Sequence, residues 1–185
     1  MEKNVYIPTK VFLTKGIGVS REKLTSFEMS LREAGISMFN LVRVSSIFPP
    51  NCKIITKDKG IAQLEPGQIL YCIISDNSTN EPYRQMAASV GLAIPRDKNR
   101  YGYISEHHSF GQTMEQAGDY AEDLAASMLA TILGVPFDAD KAYDERKETW
   151  KISNQIVRTT NITETAKGDR RGFWTTVVAA AILVP

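Results

Sequence analysis

Ser45 and Ser46 stand side by side in the segment NLVRVSSIFPP, at the end of an apolar run and just before Pro49 and Pro50. A serine hydroxyl becomes a nucleophile when neighbouring groups activate it, so the pair could take part in covalent chemistry. Serine also favours turns, and proline ends strands because it has no N–H to donate. The pair alone therefore indicates either a turn or a nucleophile.

Three further residues have side chains suited to chemistry on a polar substrate. Asn40, six residues before the second serine, carries an uncharged amide that can donate a hydrogen bond without titrating. Glu106 follows Tyr103 and Ile104, surroundings that could disfavour its ionised form and so suit it to give up a proton. Glu28 lies beside the apolar face of a predicted helix, within reach of whatever that helix packs on. Taken singly, each residue also fits an ordinary strand-edge or surface position.

The cysteines and histidines give no metal or disulfide pattern. Cys52 and Cys72 form no CxxC motif, which predicts free thiols in a reducing compartment. His107 and His108 are the only histidines, so the chain has too few soft ligands for a structural zinc site. The sequence therefore predicts a protein without a bound metal ion. Because neighbouring strand residues face opposite sides, we expect one of the two histidines to point away from Glu106.

Composition places the chain among ordinary globular proteins. With 185 residues, 43% of them hydrophobic, residues 1–185 are expected to form a single domain with a real core. A net charge of +1 gives no field that would attract nucleic acid. The start, MEKNVYIPTK, lacks a signal-peptide pattern, and no run approaches the roughly 18 apolar residues of a membrane span. We expect a cytoplasmic protein without nucleic acid or membrane partners.

The first third of the chain predicts two strands around one helix. β-branched and aromatic residues favour a strand over 4–14, and the following KGIG at 15–18 is typical of a turn. Helical spacing of apolar residues predicts an amphipathic helix over 21–34, ended by Gly35. Residues 36–48 are predicted to form a strand covered on both faces, which the double proline ends. The apolar face of the helix consists of Leu24, Phe27, Leu31 and Ala34.

Three further strands are predicted in the middle of the chain. Residues 69–75, 86–95 and 101–107 are rich in β-branched, aromatic and small apolar side chains. The first is typical of a central strand, and the composition of 76–82 after it is typical of a loop. The second and third are joined by the charged turn RDKN at 96–99.

The clearest predicted helix begins at Thr113, which forms a Thr-x-x-Gln capping box with Gln116. Its apolar residues recur at helical spacing, and Gly134 and Pro136 are expected to end it. These apolar residues are Met114, Ala117, Ala121, Leu124, Met128 and Ile132.

The remaining elements complete the predicted fold class. A short helix is predicted over 138–148, and residues 154–166 and 173–185 are predicted to form a hairpin. Six or so strands and a few helices, without regular βαβ alternation, predict an α+β fold. We expect a layered αββα-type sandwich of mixed and antiparallel sheets with outer helices. The motifs GxGxxG, GxxxxGK[ST], GxSxG and HExxH are absent, which argues against common nucleotide-binding and hydrolase classes.

Four motifs in a fixed order give the chain a family resemblance. They are FEMSLREAGI, with a Phe-Glu pair opening a helix; NLVRVSSIFPP; a strand ending in AIP before a charged turn; and GYISEHHSFG on the next strand. Together, over residues 27–108, they make the chain resemble the pyruvoyl-dependent arginine decarboxylases. The total length and the closing apolar strand fit the same family.

The resemblance implies a proenzyme that cleaves itself between Ser45 and Ser46. In such proteins the hydroxyl of the second serine attacks the preceding carbonyl and converts the peptide bond into an ester. Elimination and loss of ammonia then leave a pyruvoyl group, here derived from Ser46, as the cofactor. Neither a metal ion nor pyridoxal phosphate is expected. The products would be a chain of residues 1–45 and a chain of residues 46–185.

The resemblance also implies the reaction and the roles of the candidate residues. The expected substrate is arginine, whose amine condenses with the pyruvoyl ketone before carbon dioxide is lost and agmatine forms. Glu106 is the expected proton donor, Asn40 the donor to the oxyanion of self-cleavage, and Glu28 the carboxylate that holds the guanidinium. The roles of His107 and His108 stay open. Members of the family form trimers of processed units, so a homo-oligomer is expected.

Three other functions stay open from the sequence. The same chemistry could act on lysine, ornithine or histidine. A non-catalytic amino-acid-binding relative would keep the same scaffold and remain an uncleaved chain. A serine hydrolase that uses Ser46 with His107 or His108 would need its nucleophile on a strained turn before a helix. The prolines that follow argue against such a helix.

Overall fold

The computed structural model describes residues 6–134 and 156–185, which form nine strands and three helices. In chain order they are β1 (Lys10–Ser20), α1 (Lys23–Ala34), β2 (Asn40–Arg43), β3 (Ile47–Phe48), β4 (Lys53–Ile55), α2 (Lys57–Ile61), β5 (Ile69–Thr79), β6 (Gln85–Pro95), β7 (Gly102–Phe110), α3 (Met114–Leu133), β8 (Ile156–Lys167) and β9 (Trp174–Val184). Within these residues, no helix is both long enough and apolar enough to cross a membrane.

The strands form two sheets that pack face to face, with helices on both outer sides. The first sheet has the order β2-β5-β9-β1-β4, and the second has the order β3-β7-β6-β8. The first is mixed, because β4 and β2 run parallel to their neighbours, whereas the second is antiparallel. α1 and α2 cover the first sheet, and α3 covers the second. The predicted αββα sandwich is therefore confirmed.

Alternation of side chains along the strands creates three apolar layers. Val11 of β1 and Ile73 of β5 face the second sheet, whereas their neighbours Phe12 and Ile74 face the helices over the first sheet. A third layer, made mainly of alanines and Leu129, lies between α3 and the second sheet. Each large side chain buried in this way stabilises the fold by about 1.5–3 kcal/mol.

The predicted turn at residues 15–18 is wrong, because β1 runs straight through it. A Cβ atom at Gly16 would collide with the backbone oxygen of Ser30, and one at Gly18 with that of Ser26. The two glycines therefore let α1 lie directly on the strand. Glycine within a strand often marks such a close approach of another backbone. The strand also begins later than predicted, at Lys10.

The helix predicted over 21–34 is present as α1, but its buried face differs from the predicted one. Leu24 is 79% exposed, and the side chains that are fully buried are Ser26, Ser30 and Ala34. Phe27 and Leu31 are partly buried at the margin of the apolar layer. Small residues occupy the centre because the helix backbone lies so close to β1.

The single strand predicted over 36–48 is wrong. β2 belongs to the first sheet and β3 to the second, and residues 44–46 connect them. β2 is also largely exposed rather than covered on both faces, because it is the edge strand of its sheet. We refer to residues 44–46 as the crossing segment.

The strands predicted over 69–75, 86–95 and 101–107 are confirmed as β5, β6 and β7. The loop predicted over 76–82 begins later than expected, since β5 continues to Thr79 and pairs there with Thr175. Polar residues extend this strand because its ladder partner β9 continues beside it.

The long helix and its capping box are confirmed in α3. The Thr113 hydroxyl accepts a hydrogen bond from the backbone N–H of Gln116, whose side-chain oxygen accepts from the Thr113 N–H. Its predicted apolar face is only partly correct, because Met114 and Ile132 are exposed. The buried side consists largely of alanines, which allow close packing on the second sheet.

The hairpin predicted from the last two strands is wrong. β8 pairs with β6 in the second sheet, whereas β9 pairs with β1 and β5 in the first. The link between them therefore crosses from one sheet to the other. The short helix predicted over 138–148 and Pro136 lie outside the described residues.

Candidate active site

The serine pair lies where the chain passes from the first sheet to the second. The backbone N–H of Val44 donates to the carbonyl oxygen of Cys72 on β5, with 3.0 Å between nitrogen and oxygen. The carbonyl oxygen of Ser46 accepts from the backbone N–H of Ile104 on β7, at 2.8 Å. The peptide bond between Ser45 and Ser46 therefore bridges two sheets and is held on both sides.

A tight turn encloses the same peptide bond. The backbone N–H of Ile47 donates to the carbonyl oxygen of Ser45, with a nitrogen to oxygen distance of 2.9 Å. A bond between residues two apart closes a γ-turn with Ser46 at its centre. The carbonyl that a nucleophile at Ser46 would attack is therefore already hydrogen-bonded.

An open cleft of about 510 Å³ lies beside the crossing segment. Ser45 is exposed and Ser46 is half-buried, so the pair lies at the surface and is accessible to solvent only in part. The walls of this serine cleft are mainly apolar and aromatic, which suits a ligand with an apolar stem. They consist of Tyr6, Ile7, Pro8, Val44, Ser45, Ile47, Pro49, Pro50, Tyr71 and Leu183.

Glu106 lies on β7, two residues beyond the N–H that holds Ser46. Ile104 faces the apolar layer between the sheets, and Ser105 faces the other way, where its hydroxyl binds the carbonyl of Ala121 on α3. Because side chains alternate along a strand, Glu106 is on the same face as Ile104 and points toward the first sheet. Sequence reasoning thus selected a carboxyl group two residues along β7 from the anchor of Ser46.

The environment of Glu106 favours its protonated form. Partial burial of the carboxyl raises its pKa above the usual value of 4.5, and the nearby carboxylate of Asp76 acts in the same direction. The nearby Arg43 and His108 side chains act in the opposite direction but do not cancel this rise in pKa. A carboxyl group with a raised pKa can deliver a proton at higher pH than an ordinary glutamate.

Arg43 and Asp76 are site residues that the sequence reasoning missed. The guanidinium of Arg43 binds the Asp76 carboxylate and the carbonyl oxygen of Ile74. A signal for them was present in the sequence, because Arg43 and Asp76 each follow an apolar strand segment. The pair borders a cleft of about 470 Å³ between α1 and the first sheet, the α1 cleft. Its walls are Lys23, Leu24, Phe27, Arg43, Asp76, Ser78 and Thr176.

Glu28 is not brought next to Ser46 within one chain. It lies on α1, outside the first sheet, whereas Glu106 lies in the second sheet. Its Oε1 atom accepts a hydrogen bond from Nε of Arg32 at 2.6 Å, one helical turn away. The carboxylate is half-exposed, and within this chain it already pairs with a guanidinium.

Asn40 is also distant from Ser46 within one chain. It begins β2, and its side-chain amide donates to the carbonyl oxygen of Gly67 at 2.8 Å. Val44 is four residues further along this extended segment, which places the two Cα atoms about 13 Å apart. The role of Asn40 as a donor in self-cleavage therefore stays a prediction.

The two histidines point to opposite sides of β7, as predicted. Nε2 of His107 lies 2.7 Å from Oε1 of Gln112, and its ring stacks at 4.4 Å on Tyr120 of α3. His108 lies on the Glu106 side, close enough to lower the pKa of that carboxyl. Only His108 is therefore placed to influence the chemistry near the crossing segment.

The two thiols are poor candidates for nucleophiles or ligands. Both cysteines are free, and burial raises the pKa of Cys52 and of Cys72 to about 11. At neutral pH both therefore remain protonated, and a protonated thiol is a weak nucleophile. Across residues 6–134 and 156–185, no group of three or more His, Cys, Asp or Glu side chains is arranged to hold a metal ion.

Comparisons with known proteins agree with the resemblance. Residues 10–185 match a family model described as pyruvoyl-dependent arginine decarboxylase. The chain is 55% identical over 180 residues to a probable pyruvoyl-dependent arginine decarboxylase of Chloroherpeton thalassium, covering 97% of this chain and 99% of the relative. It is 57% identical over 178 residues to the pyruvoyl-dependent arginine decarboxylase of Nitrosopumilus maritimus, covering 96% and 97%. The corresponding protein of Methanococcoides burtonii is 56% identical over 178 residues, covering 96% and 99%.

Proposed function

The chain belongs to the pyruvoyl-dependent arginine decarboxylase family, and from that premise we propose that it converts L-arginine to agmatine and carbon dioxide. As a member of this family it is a carbon-carbon lyase that depends on a pyruvoyl group. The observation that carries the proposal is the crossing segment, where the serine pair is held between two sheets and is anchored to the strand that carries Glu106.

Ser46 is the proposed source of the pyruvoyl group. Its hydroxyl attacks the carbonyl carbon of Ser45, the C–N bond breaks, and the hydroxyl proton ends on the released amine. Elimination across the Cα–Cβ bond of residue 46 then frees Ser45 as a carboxylate. Water finally replaces the nitrogen, which leaves as ammonia. This scheme needs no metal ion and no pyridoxal phosphate, because the reactive carbonyl is made from the chain itself.

The surroundings of Ser46 suit such a group. A pyruvoyl group supplies a ketone that binds the substrate amine and an adjacent amide carbonyl that helps to take up charge. The backbone N–H of Ile104 donates to that carbonyl oxygen. The serine cleft beside it has room for an amino acid with an apolar stem.

Glu106 is the proposed proton donor. After carbon dioxide leaves, the substrate carbon must receive a proton before the product can depart. The raised pKa of Glu106 keeps more of the carboxyl protonated, and its strand position is two residues from the anchor of Ser46. Both features support the assignment.

Glu28 is the proposed site for the guanidinium of the substrate. It already binds the guanidinium of Arg32 through a charge-assisted hydrogen bond. Arginine would compete with Arg32 for the same carboxylate. A neutral or shorter side chain on the substrate would lose this contact, which supports arginine over other amino acids.

We further propose that the site is completed between copies in a homotrimer of processed units. Glu28 and Asn40 are remote from Ser46 within one chain, so a direct contact requires a neighbouring copy. Several apolar side chains around the serine cleft are exposed in a single chain, which is typical of a surface that another chain covers. They are Tyr6, Ile7, Val42, Ile47, Ile69 and Tyr71.

The intact mass of the full-length protein tests the proposal first. We expect a chain ending at Ser45 and a 46–185 chain that is lighter by one ammonia than one beginning with serine. The same sample should release carbon dioxide and agmatine from arginine, and less product from lysine, ornithine or histidine. A single uncleaved chain without carbon dioxide release would overturn the proposal and favour a non-catalytic binding protein.

A further inference from the structure

The carbonyl oxygen of Ser45 has a backbone donor that the sequence did not suggest. The nitrogen of Ile47 lies 2.9 Å from this oxygen, and its N–H closes the γ-turn around Ser46. In an oxyanion hole, donors lie about 2.7–3.1 Å from the position of the oxyanion, and this N–H already binds the carbonyl oxygen that would become it. The N–H is therefore placed where charge would develop during self-cleavage.

This donor is not required by the neighbouring ladder. β3 pairs with β7 in the register Ile47 to Tyr103 and Phe48 to Gly102. The N–H of Ile47 does not donate to β7 but to the carbonyl oxygen of Ser45, two residues earlier in the chain. The ladder is continued instead by the carbonyl of Ser46, which binds Ile104.

The crossing segment also keeps this geometry fixed. Val44 is bound to Cys72 on one side of the peptide bond, and Ser46 is bound to Ile104 on the other. The attacked carbonyl and its donor therefore need little reorganisation as the reaction begins, which is the main source of oxyanion stabilisation. The side-chain amide of Asn40 is engaged elsewhere in the same chain, with Gly67.

We propose that the backbone N–H of Ile47 is one oxyanion donor of self-cleavage, in addition to the amide of Asn40 from a neighbouring copy; this inference rests on the proposed function of Ser46. As the Ser46 oxygen adds to the Ser45 carbonyl carbon, the electron pair of the C=O bond moves to the oxygen bound by Ile47. Collapse of this intermediate restores the C=O bond, breaks the C–N bond and gives the ester. The hydroxyl proton is transferred to the departing nitrogen.

The proline variant Ile47→Pro gives the first test, because proline has no N–H. We expect conversion to the 46–185 chain to slow by about 100-fold or more, the usual effect of removing one oxyanion donor. Ile47→Ala keeps the N–H and measures the effect of the shorter side chain alone. Intact mass against time gives both rates, and thermal unfolding verifies that each variant is folded.

A backbone ester gives a second test that is independent of the proline ring, which also restricts the residue before it. Replacing residue 47 with the 2-hydroxy acid analogue of isoleucine deletes the N–H and keeps the side chain. Ligation at Cys52 can join a synthetic 1–51 segment carrying this ester to residues 52–185. The matched control is the same ligated chain with a normal amide. Mass spectrometry separates cleavage before residue 46 from hydrolysis of the ester before residue 47.

The outcomes distinguish this inference from the proposed function. If the unmodified chain is not cleaved, the role of Ser46 is wrong and the inference falls with it. If the unmodified chain is cleaved and the ester chain is cleaved at the same rate as its amide control, only the role of the Ile47 N–H is wrong. Slow cleavage of the ester chain, with a normal amide control, supports the inference even if the proline variant does not fold.

Discussion

The backbone N–H of Ile104 binds the carbonyl oxygen of Ser46 at 2.8 Å and so joins the crossing segment to the strand that carries Glu106. This contact fixes how far Ser46 lies in space from the part of β7 that carries the proposed acid. Both residues belong to the proposed 46–185 chain, so the proposed cleavage would leave them in one chain.

We expect Ser46→Ala to remain a single 185-residue chain and to release no carbon dioxide from arginine. The hydroxyl that would attack Ser45 is absent, whereas the hydrogen bonds that tie the crossing segment to β5 and β7 join backbone atoms and would remain. Ser127→Ala is the matched control, because among the described residues that hydroxyl donates to the carbonyl of Leu124 within α3. Intact mass after long incubation decides the prediction, and cleavage of Ser46→Ala would contradict it.

We expect Glu106→Gln to lower the rate of arginine decarboxylation by about 10²–10⁴-fold, the usual contribution of a general acid. Glutamine keeps the size of the side chain but has no acidic proton. The wild-type rate should fall as pH rises through the raised pKa of Glu106, and this fall should be missing in the variant. The exposed Glu65→Gln serves as a control. An unchanged pH profile in Glu106→Gln would assign the acid to another group.

The same residue predicts how stability depends on pH. Because the fold raises the pKa of Glu106, ionisation is less favourable in the folded state than in the unfolded state. Below the usual pKa, the carboxyl is neutral in both states and Glu106 does not lower the free energy of unfolding. As pH rises through the raised pKa of the folded state, ionisation of Glu106 lowers the free energy of unfolding. In the uncleaved Ser46→Ala background, Glu106→Gln should therefore raise Tm more at pH 8 than at pH 4. Calorimetry at both pH values measures this, and a larger gain at pH 4 would give the opposite sign.

We expect Glu28→Gln and Arg32→Ala to change the KM for arginine in opposite directions. Removing the carboxylate deletes a charge-assisted contact, so KM should rise by roughly 10–100-fold. Removing Arg32 frees the carboxylate from its present partner, so KM should fall severalfold. Steady-state kinetics on the processed variants measures both values. A rise in KM in Arg32→Ala would mean that this arginine helps to bind the substrate.

Asn40 allows a test of the shared site by complementation. Asn40→Ala alone should be cleaved slowly, and loss of the hydrogen bond to Gly67 should cost about 1 kcal/mol. When it is coexpressed with Ser46→Ala under a different tag, a mixed oligomer contains Asn40 in one copy and Ser46 in the next. Cleavage of the Asn40→Ala chain should then recover. If coexpression leaves that chain uncleaved, Asn40 does not act between copies.

The sequence was sufficient for the fold class, for α3 and for the strands β5, β6 and β7. The capping box at Thr113 is a local signal, and local signals survive folding because their partners are adjacent in the chain. The break at Ser45 was not visible, because an apolar run is the same whether it stays in one sheet or passes to another. Sheet membership depends on contacts with distant segments.

The errors have a common physical origin in long-range packing. Gly16 and Gly18 were interpreted as a turn, since glycine gives the same signal in a turn and beneath a closely packed helix. β8 and β9 were interpreted as a hairpin because they are neighbours in sequence, although each pairs with strands far earlier in the chain. Arg43 and Asp76 were missed because their pairing depends on the register between β2 and β5.

The interior position of β1 has a consequence for the cleaved protein as a thermodynamic system. Residues 1–45 would contribute β1, α1 and β2, and β1 lies between β9 and β4, paired with β9 along all eleven of its residues. The short chain could not dissociate without opening the first sheet, so separation of the chains and unfolding become one event. Unfolding of each processed unit would then change the number of particles, and its midpoint would depend on protein concentration. Self-cleavage would therefore convert a chain that refolds in a unimolecular reaction into two chains that must associate in order to refold.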